Sequence, residues 1–165
     1  MTLWYTVSLV IHLIAIALWL GGIVFFLIVV GPAVHEIEPG IAVKTMNQAR
    51  IGLETMSWTA IGLILLTGVF NLVVKDQLDP TSPSSEYLYT LGAKVLIFVA
   101  MTVHHCLQVF KYAPAIASLT AQVPAKTSTW PEPLLSHWRR WFVLLKINAA
   151  LGPIAVLLGL TLARS

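Results

Sequence analysis

Charge is scarce in this sequence. Lysine, arginine, aspartate and glutamate together make up 10% of its 165 residues, against about 25% in ordinary soluble domains. A water-soluble fold of this size leaves a large fraction of its surface exposed and could not hide the 58% of residues that are hydrophobic. The mean hydropathy of +0.84 says the same, so lipid is the expected solvent for much of the surface. Cysteine is nearly absent: Cys106 stands alone, which excludes a disulfide scaffold. The composition equally excludes disorder and a coiled coil. The net charge of +3 and pI near 9.2 come from basic residues scattered among apolar runs. They form no stripe of the kind that tracks nucleic acid, and anionic lipid is their expected partner. No phosphate-binding glycine loop, HExxH pattern or nucleophile-and-base constellation is present.

What is present is long apolar sequence. A membrane-spanning helix needs about 20 mostly apolar residues, and four such runs occur, roughly Leu3 to Val30, Ile51 to Val74, Leu88 to Tyr112 and Trp141 to Ala163. No Lys or Arg precedes the first, its apolar stretch outlasts a signal peptide, and Gly21-Gly22 runs on into Phe25-Phe26. It is expected to be a genuine span. Backbone polar groups in lipid must be paired within the segment, so runs of this length mean helices rather than barrel strands. The expected fold is all-α, an antiparallel four-helix membrane bundle forming one domain over residues 1–165.

Orientation follows from the basic residues, whose translocation is disfavoured. The loops after the first and third spans hold Lys44, Arg50, Lys111, Lys126, Arg139 and Arg140. The opposite face has Lys75 and Arg164, with Asp76, Asp79 and Glu86 between the second and third spans. The basic loops are therefore expected in the cytoplasm and both termini outside, in a cytoplasmic (inner) membrane. Gly31-Pro32 is expected to end the first helix, and residues 41–50 to start the second ahead of the lipid. Residues 76–86, with DPTSPSSE, read as a turn-rich outer loop. The longest connection, about Ala113 to His137, carries four prolines, with Trp130, Trp138 and Trp141 expected in the interfacial aromatic belt. No internal repeat stands out.

Ionisable groups inside membrane spans cost several kcal/mol unless paired, which makes them the first functional candidates. They are His12, Glu54, Lys94, His104, His105 and Lys146, accompanied by Asn71, Gln108 and Asn148. At about 1.5 Å per residue, His12 and Lys94 lie roughly 7 to 9 Å to the outer side of the span centres. His104, His105, Lys146 and Asn148 lie about 4 to 9 Å to the inner side, giving two polar levels. On the third span Lys94, Met101, His105 and Gln108 recur at helical spacing and share one face, bordered by His104. That face is expected to point into the bundle. His104 and His105 are about 100° apart around the helix, so one small ion does not easily take both.

Imidazoles on facing membrane helices are the usual holders of b-type haem. His12 and one of His104 and His105 are the candidate ligands, with Lys94 as a partner or as counter-charge to a propionate. Gly21, Gly22, Gly62, Gly68 and Gly92 would let a flat macrocycle or a neighbouring helix come close, and helix packing alone explains most of them. His12 and His104 differ in depth by roughly 13 Å, which is awkward for two ligands of one haem: either the span registers are off by several residues, or there are two centres. Copper is the rival: His12 together with Met101-x-x-His104-His105-Cys106 offers borderline and soft ligands. Arg50 and Glu54, one turn apart, read as an ordinary pair. Lys146 can extend to the interface, and His35 and His137 read as solvated.

The spans also carry short motifs: His12 followed by ALWLGGIVFF and GPA, ARIG with LLTGVFNL, and YTLGAKVLIF. On these the chain resembles the CopD-like (copper-resistance D) four-span membrane family over nearly its whole length. A more distant similarity is to the HemJ-type protoporphyrinogen oxidases, through His12, Lys94 and His104 or His105. There the acidic Asn-Glu pattern expected early in the last helix is replaced by Lys146-Ile147-Asn148-Ala149. The first resemblance implies a role in copper handling and the second a b-type redox centre. The expectation is a membrane protein that binds haem b, one or two per chain, and transfers electrons within or across the membrane with an unidentified redox partner, alone, as a homo-oligomer or in a larger membrane complex. The alternatives are a copper transport protein, a protoporphyrinogen oxidase or a non-catalytic assembly subunit.

Overall fold

A computed structural model describes residues 2–78, 84–124 and 126–162. Asp79 and Pro80 of the expected outer loop, Ala163 at the end of the last span and Arg164 lie outside the described residues. The described residues are almost entirely helical, with no strand among them. Helix α1 runs Thr2–Phe25, passes through one π-helical turn at Phe26–Val30 and goes on through Gly31–Ala33 to a 3-10 turn, Val34–Glu36. Helix α2 is Pro39–Leu78. Helix α3 runs Ser85–Cys106, then a π-helical stretch Leu107–Tyr112, then Ala113–Ala121. Helix α4 is Glu132–Leu162.

All four are long and apolar enough to cross a membrane, which marks a multi-pass membrane protein. Large apolar side chains are exposed along all four helices, Leu66, Leu96 and Phe110 each to 70%, a continuous apolar surface of the kind that faces lipid. The surface, 9817 Å², exceeds the roughly 8,100 Å² that a compact soluble fold of this mass exposes. Part of the excess is length. The 40 residues of α2 extend about 60 Å, twice the hydrocarbon thickness of about 30 Å.

Two expectations about helix ends are corrected, and proline is the reason for both. Pro32 and Pro114 were to stop or border helices, yet each sits just inside a new helical segment that directly follows a π turn. A proline ring collides with the carbonyl four residues back, and a widened turn carries the helix past that collision. The third helix therefore reaches Ala121 instead of Tyr112, and the connection expected from Ala113 to His137 shrinks to the short stretch after Ala121. The early start of α2 is as expected: Ile41 and Ala42 donate to the Glu38 carbonyl, which caps it. At the other end Ser84 accepts from the Tyr87 amide and starts α3.

Helices α1 and α2 pack along each other, as do α3 and α4, and α1 against α4 joins the halves. The densest packing lies towards the end that carries Lys44, Lys111, Arg139 and Arg140, called here the basic end. Phe26, Trp138, Trp141 and Phe142 form a ring cluster there with centroids 5.2–5.9 Å apart. Trp138 and Trp141 are each 1% exposed, so they belong to the core and not to the expected lipid-interface belt. Leu134, Trp138, Trp141, Leu145 and Asn148, spaced four and three apart, form the buried face of α4. Trp130 is half-buried beside His35, 6.3 Å between ring centroids.

The opposite end, where α1 starts and α4 stops, is thinly packed. No residue of α3 before Met101 and none of α4 after Gly152 is buried among the described residues. The irregular turns also disclose a correspondence invisible in the bare sequence. When Pro32 is set on Pro114, the buried residues Trp19, Ile23, Phe26, Gly31 and Val34 fall on the buried Met101, His105, Gln108, Ala113 and Ile116. In the same register His12 falls on Lys94. The first helices of the two pairs, α1 and α3, thus share one pattern of burial around a π turn and a proline.

Candidate functional site

The polar residues of the spans gather at two levels. At the thinly packed end, the buried imidazole of His12 on α1 has Nδ1 2.7 Å from Oγ1 of Thr67 on α2. That hydroxyl hydrogen-bonds the Leu63 carbonyl of its own helix. A hydroxyl has one proton. With it directed to Leu63, the oxygen is placed to accept from Nδ1–H of His12, an arrangement that leaves Nε2 without a proton. The ring lies close over the α2 backbone, where a Cβ on Gly68 would sit 3.4 Å from His12 Cε1.

Lys94 is level with this pair. Nζ of Lys75 stands 4.3 Å over the Tyr87 ring, which sets α2 against α3, and two turns further in on each lie Gly68 and Lys94. Lys94 and His12 interact electrostatically. The ammonium lies beside Gly159 of α4, where a Cβ would come 3.1 Å from Nζ. His12 over Gly68 and Lys94 over Gly159 are thus matched arrangements in the two halves. Among the described residues the one ion pair is Arg50 with Glu54, so Lys94 has no carboxylate beside it. Two further buried oxygens near this level lack partners, Ser8 Oγ, one turn before His12, and Asn71 Oδ1, one turn after Thr67.

The second level lies about ten residues of helix, roughly 15 Å, closer to the basic end, and keeps the depth difference expected from sequence. His104 and His105 diverge, as their 100° separation requires. His104 turns to α4, with Nδ1 3.0 Å from Oδ1 of Asn148, while Nδ2 of Asn148 donates to the Met101 carbonyl at 3.1 Å. The amide orientation is thereby set, and His104 too carries its proton on Nδ1. His105 turns to the bundle axis, 4% exposed, with its ring 4.9 Å from that of Trp58. Its Nε2 has no partner, and the residue borders a narrow gap with Glu54, Ser57, Gln108 and Trp141 that has no room for a water molecule.

Other candidates are settled individually. Met101 is buried, and what it supplies is its carbonyl, to Asn148. Gln108, 1% exposed, donates to the Trp141 carbonyl at 3.1 Å and ties α3 to α4. Glu54 does pair with Arg50 as expected, but the pair is buried, and Trp141 Nε1 also donates to Glu54 at 3.3 Å. Asn47 holds the other edge of the guanidinium at 2.9 and 3.2 Å. Lys146 is exposed on the lipid face, and Cys106 is free and half-buried. Of the five glycines singled out, Gly21, Gly62 and Gly92 have nothing within 4 Å of a Cβ position, whereas Gly22 and Gly68 are approached closely.

Sequence reasoning missed Thr67, Ser8 and Gly159. A threonine at Thr67 reads as an ordinary helix hydroxyl, and only its position across from His12 makes it informative. Among the described residues no three of His, Cys, Asp and Glu come together as a metal-binding group. No protein family, curated protein or solved structure matches the chain.

Proposed function

We propose that this chain is a CopD-like inner-membrane protein that binds haem b at the His12 level and passes electrons within the bilayer. The observation that carries the proposal is the outer level itself: an imidazole with Nε2 bare and a lysine without a carboxylate, level with each other where α3 and α4 bury nothing. A lone lysine near the middle of a span costs about 2.5–3.5 kcal/mol. An anionic group on the bound ligand offsets that cost, and haem b brings carboxylates as well as an iron that takes a neutral imidazole.

The residues present fit such a group at this level. Nε2 of His12 would bind the iron, Thr67 would hold the ring, Lys94 would supply a counter-charge or second contact, and Ser8 and Asn71 have hydrogen-bonding capacity to spare. Bound haem supplies one-electron chemistry. The chain's part is to place the nitrogen, fix a positive charge near it and keep water out. At the inner level the closed gap beside His105 does not admit a macrocycle. His104, half-buried against α4, is the inner candidate, for a group seated on the α3–α4 face.

Copper is less well supported, because the two adjacent imidazoles diverge, His104 to Asn148 and His105 to Trp58. The basic loops face the cytoplasm in this reading, with both termini outside.

The test is haemin titration of the purified protein and of single variants. His12→Ala is expected to abolish stoichiometric binding, and Lys94→Ala to weaken it at least tenfold, while Lys146→Ala leaves it unchanged. Equal binding by all four proteins would overturn the assignment of the site.

A further inference from the structure

His12 and His104 lie on different helices and at different depths, yet each offers its Nδ1 to a side-chain oxygen on the helix it packs against. In both, that oxygen is left with one role. Thr67 bonds the Leu63 carbonyl and Asn148 directs its amide protons towards Met101, so both oxygens are placed to accept from the imidazole, and on α2 the Ile64 backbone also hydrogen-bonds His12. We propose that Thr67 and Asn148 are positioning residues that hold the two histidines in the Nδ1–H tautomer, leaving Nε2 of each as the ligand nitrogen. The inference deepens the haem reading and rests on it for the identity of the ligand. The tautomers themselves do not depend on any ligand.

The chemistry is general. Which imidazole nitrogen ligates is set by the hydrogen bond the other one makes, and that bond also fixes the ring plane and raises the basicity of the donor. A hydroxyl back-bonded to its own helix is a suitable acceptor inside a membrane, where a carboxylate would bring a further charge at several kcal/mol. Gly68 allows the ring to lie close to α2, within reach of Thr67. His105 provides the contrast: its Nε2 is buried without a partner, beside a gap too narrow for a water molecule, so it is not a ligand in this scheme.

The test has two readouts. In the apo protein labelled with ¹⁵N-histidine, at a pH where the rings are neutral, the ¹⁵N shifts are expected to show His12 and His104 protonated at Nδ1. Thr67→Val keeps the shape and removes the acceptor, so the Nε2–H form of His12 should appear; Thr67→Ser should restore the native signal. Asn148→Leu should do the same to His104, with Asn148→Asp restoring it. In haemin titration Thr67→Val is expected to weaken binding 10- to 100-fold, the usual effect of removing such a partner, with Thr67→Ser close to wild type.

Unchanged ¹⁵N signals in Thr67→Val and Asn148→Leu would overturn the proposal. So would wild-type haemin affinity in a Thr67→Val protein whose tautomer had shifted. If the wild type itself binds no haemin, the haem reading fails, and the ¹⁵N signals still decide whether these two side chains set the tautomers.

Discussion

At the scale of single residues, Arg50, Glu54, Trp141 and Asn47 show how a charge pair survives in an apolar bundle. The side chains of Arg50 and Glu54 are 4% and 12% exposed, and the remaining hydrogen-bonding capacity is taken up by Asn47 and Trp141. Removing one member of a buried pair leaves the other charge uncompensated, at about 3–5 kcal/mol. Glu54→Ala is therefore expected to destabilise by about 3 kcal/mol, and Arg50→Met with Glu54→Leu by much less, as read by unfolding in detergent. Additive effects would show that the pair is not coupled. Lys94 predicts the reverse sign. Lys94→Met removes an unpaired intramembrane charge and is expected to raise apo-protein stability by about 1–3 kcal/mol while lowering haemin affinity. A destabilised Lys94→Met protein would mean that the lysine has a structural partner.

Glycine substitutions divide the same way. A Cβ on Gly152 meets three carbons of Leu20, including the branch atom, whereas on Gly22 its closest neighbour is the flexible tip of Met56. Gly152→Ala should cost about 1–3 kcal/mol by overpacking, and Gly22→Ala distinctly less. The opposite order in thermal unfolding would contradict this packing of α1 against α4.

At the scale of elements, the four helices and their order were legible in the apolar runs, because span length follows from membrane thickness. Their ends were not. Pro32 and Pro114 carry the local signal of a helix stop, and the π turns that carry the helices past them depend on what lies beyond. Past the second turn Ala113, Ile116 and Thr120 are buried. Before it Gln108 is tied to Trp141. Pro114→Ala is accordingly expected to change stability by less than about 1 kcal/mol and to leave helical content unaltered by circular dichroism. A clear gain in helicity would show that Pro114 does end the helix. The tryptophans were misplaced for a related reason. Trp138 and Trp141 resemble belt residues while α4 is taken to begin at Trp141, and become core residues once it begins at Glu132 and continues their spacing.

At the scale of the whole molecule, the two polar levels were visible from residue counting alone, since depth along a helix is simple arithmetic at 1.5 Å per residue. Lateral neighbours were not visible. Nothing in the sequence pairs His12 with Thr67 or His104 with Asn148, because those contacts depend on which helices adjoin and how each is rotated. The shared burial pattern of α1 and α3, with His12 and Lys94 in equivalent places, likewise emerged from burial and backbone irregularity rather than from residue identity.

The account stands most directly on the optical spectrum of the detergent-purified protein, oxidised and then reduced with dithionite, with haem and metal measured on the same sample. The result predicted is haem b in stoichiometric amount, giving a Soret band and sharp reduced α and β bands that disappear in His12→Ala. A featureless visible spectrum with stoichiometric copper, unchanged in His12→Ala, would contradict it.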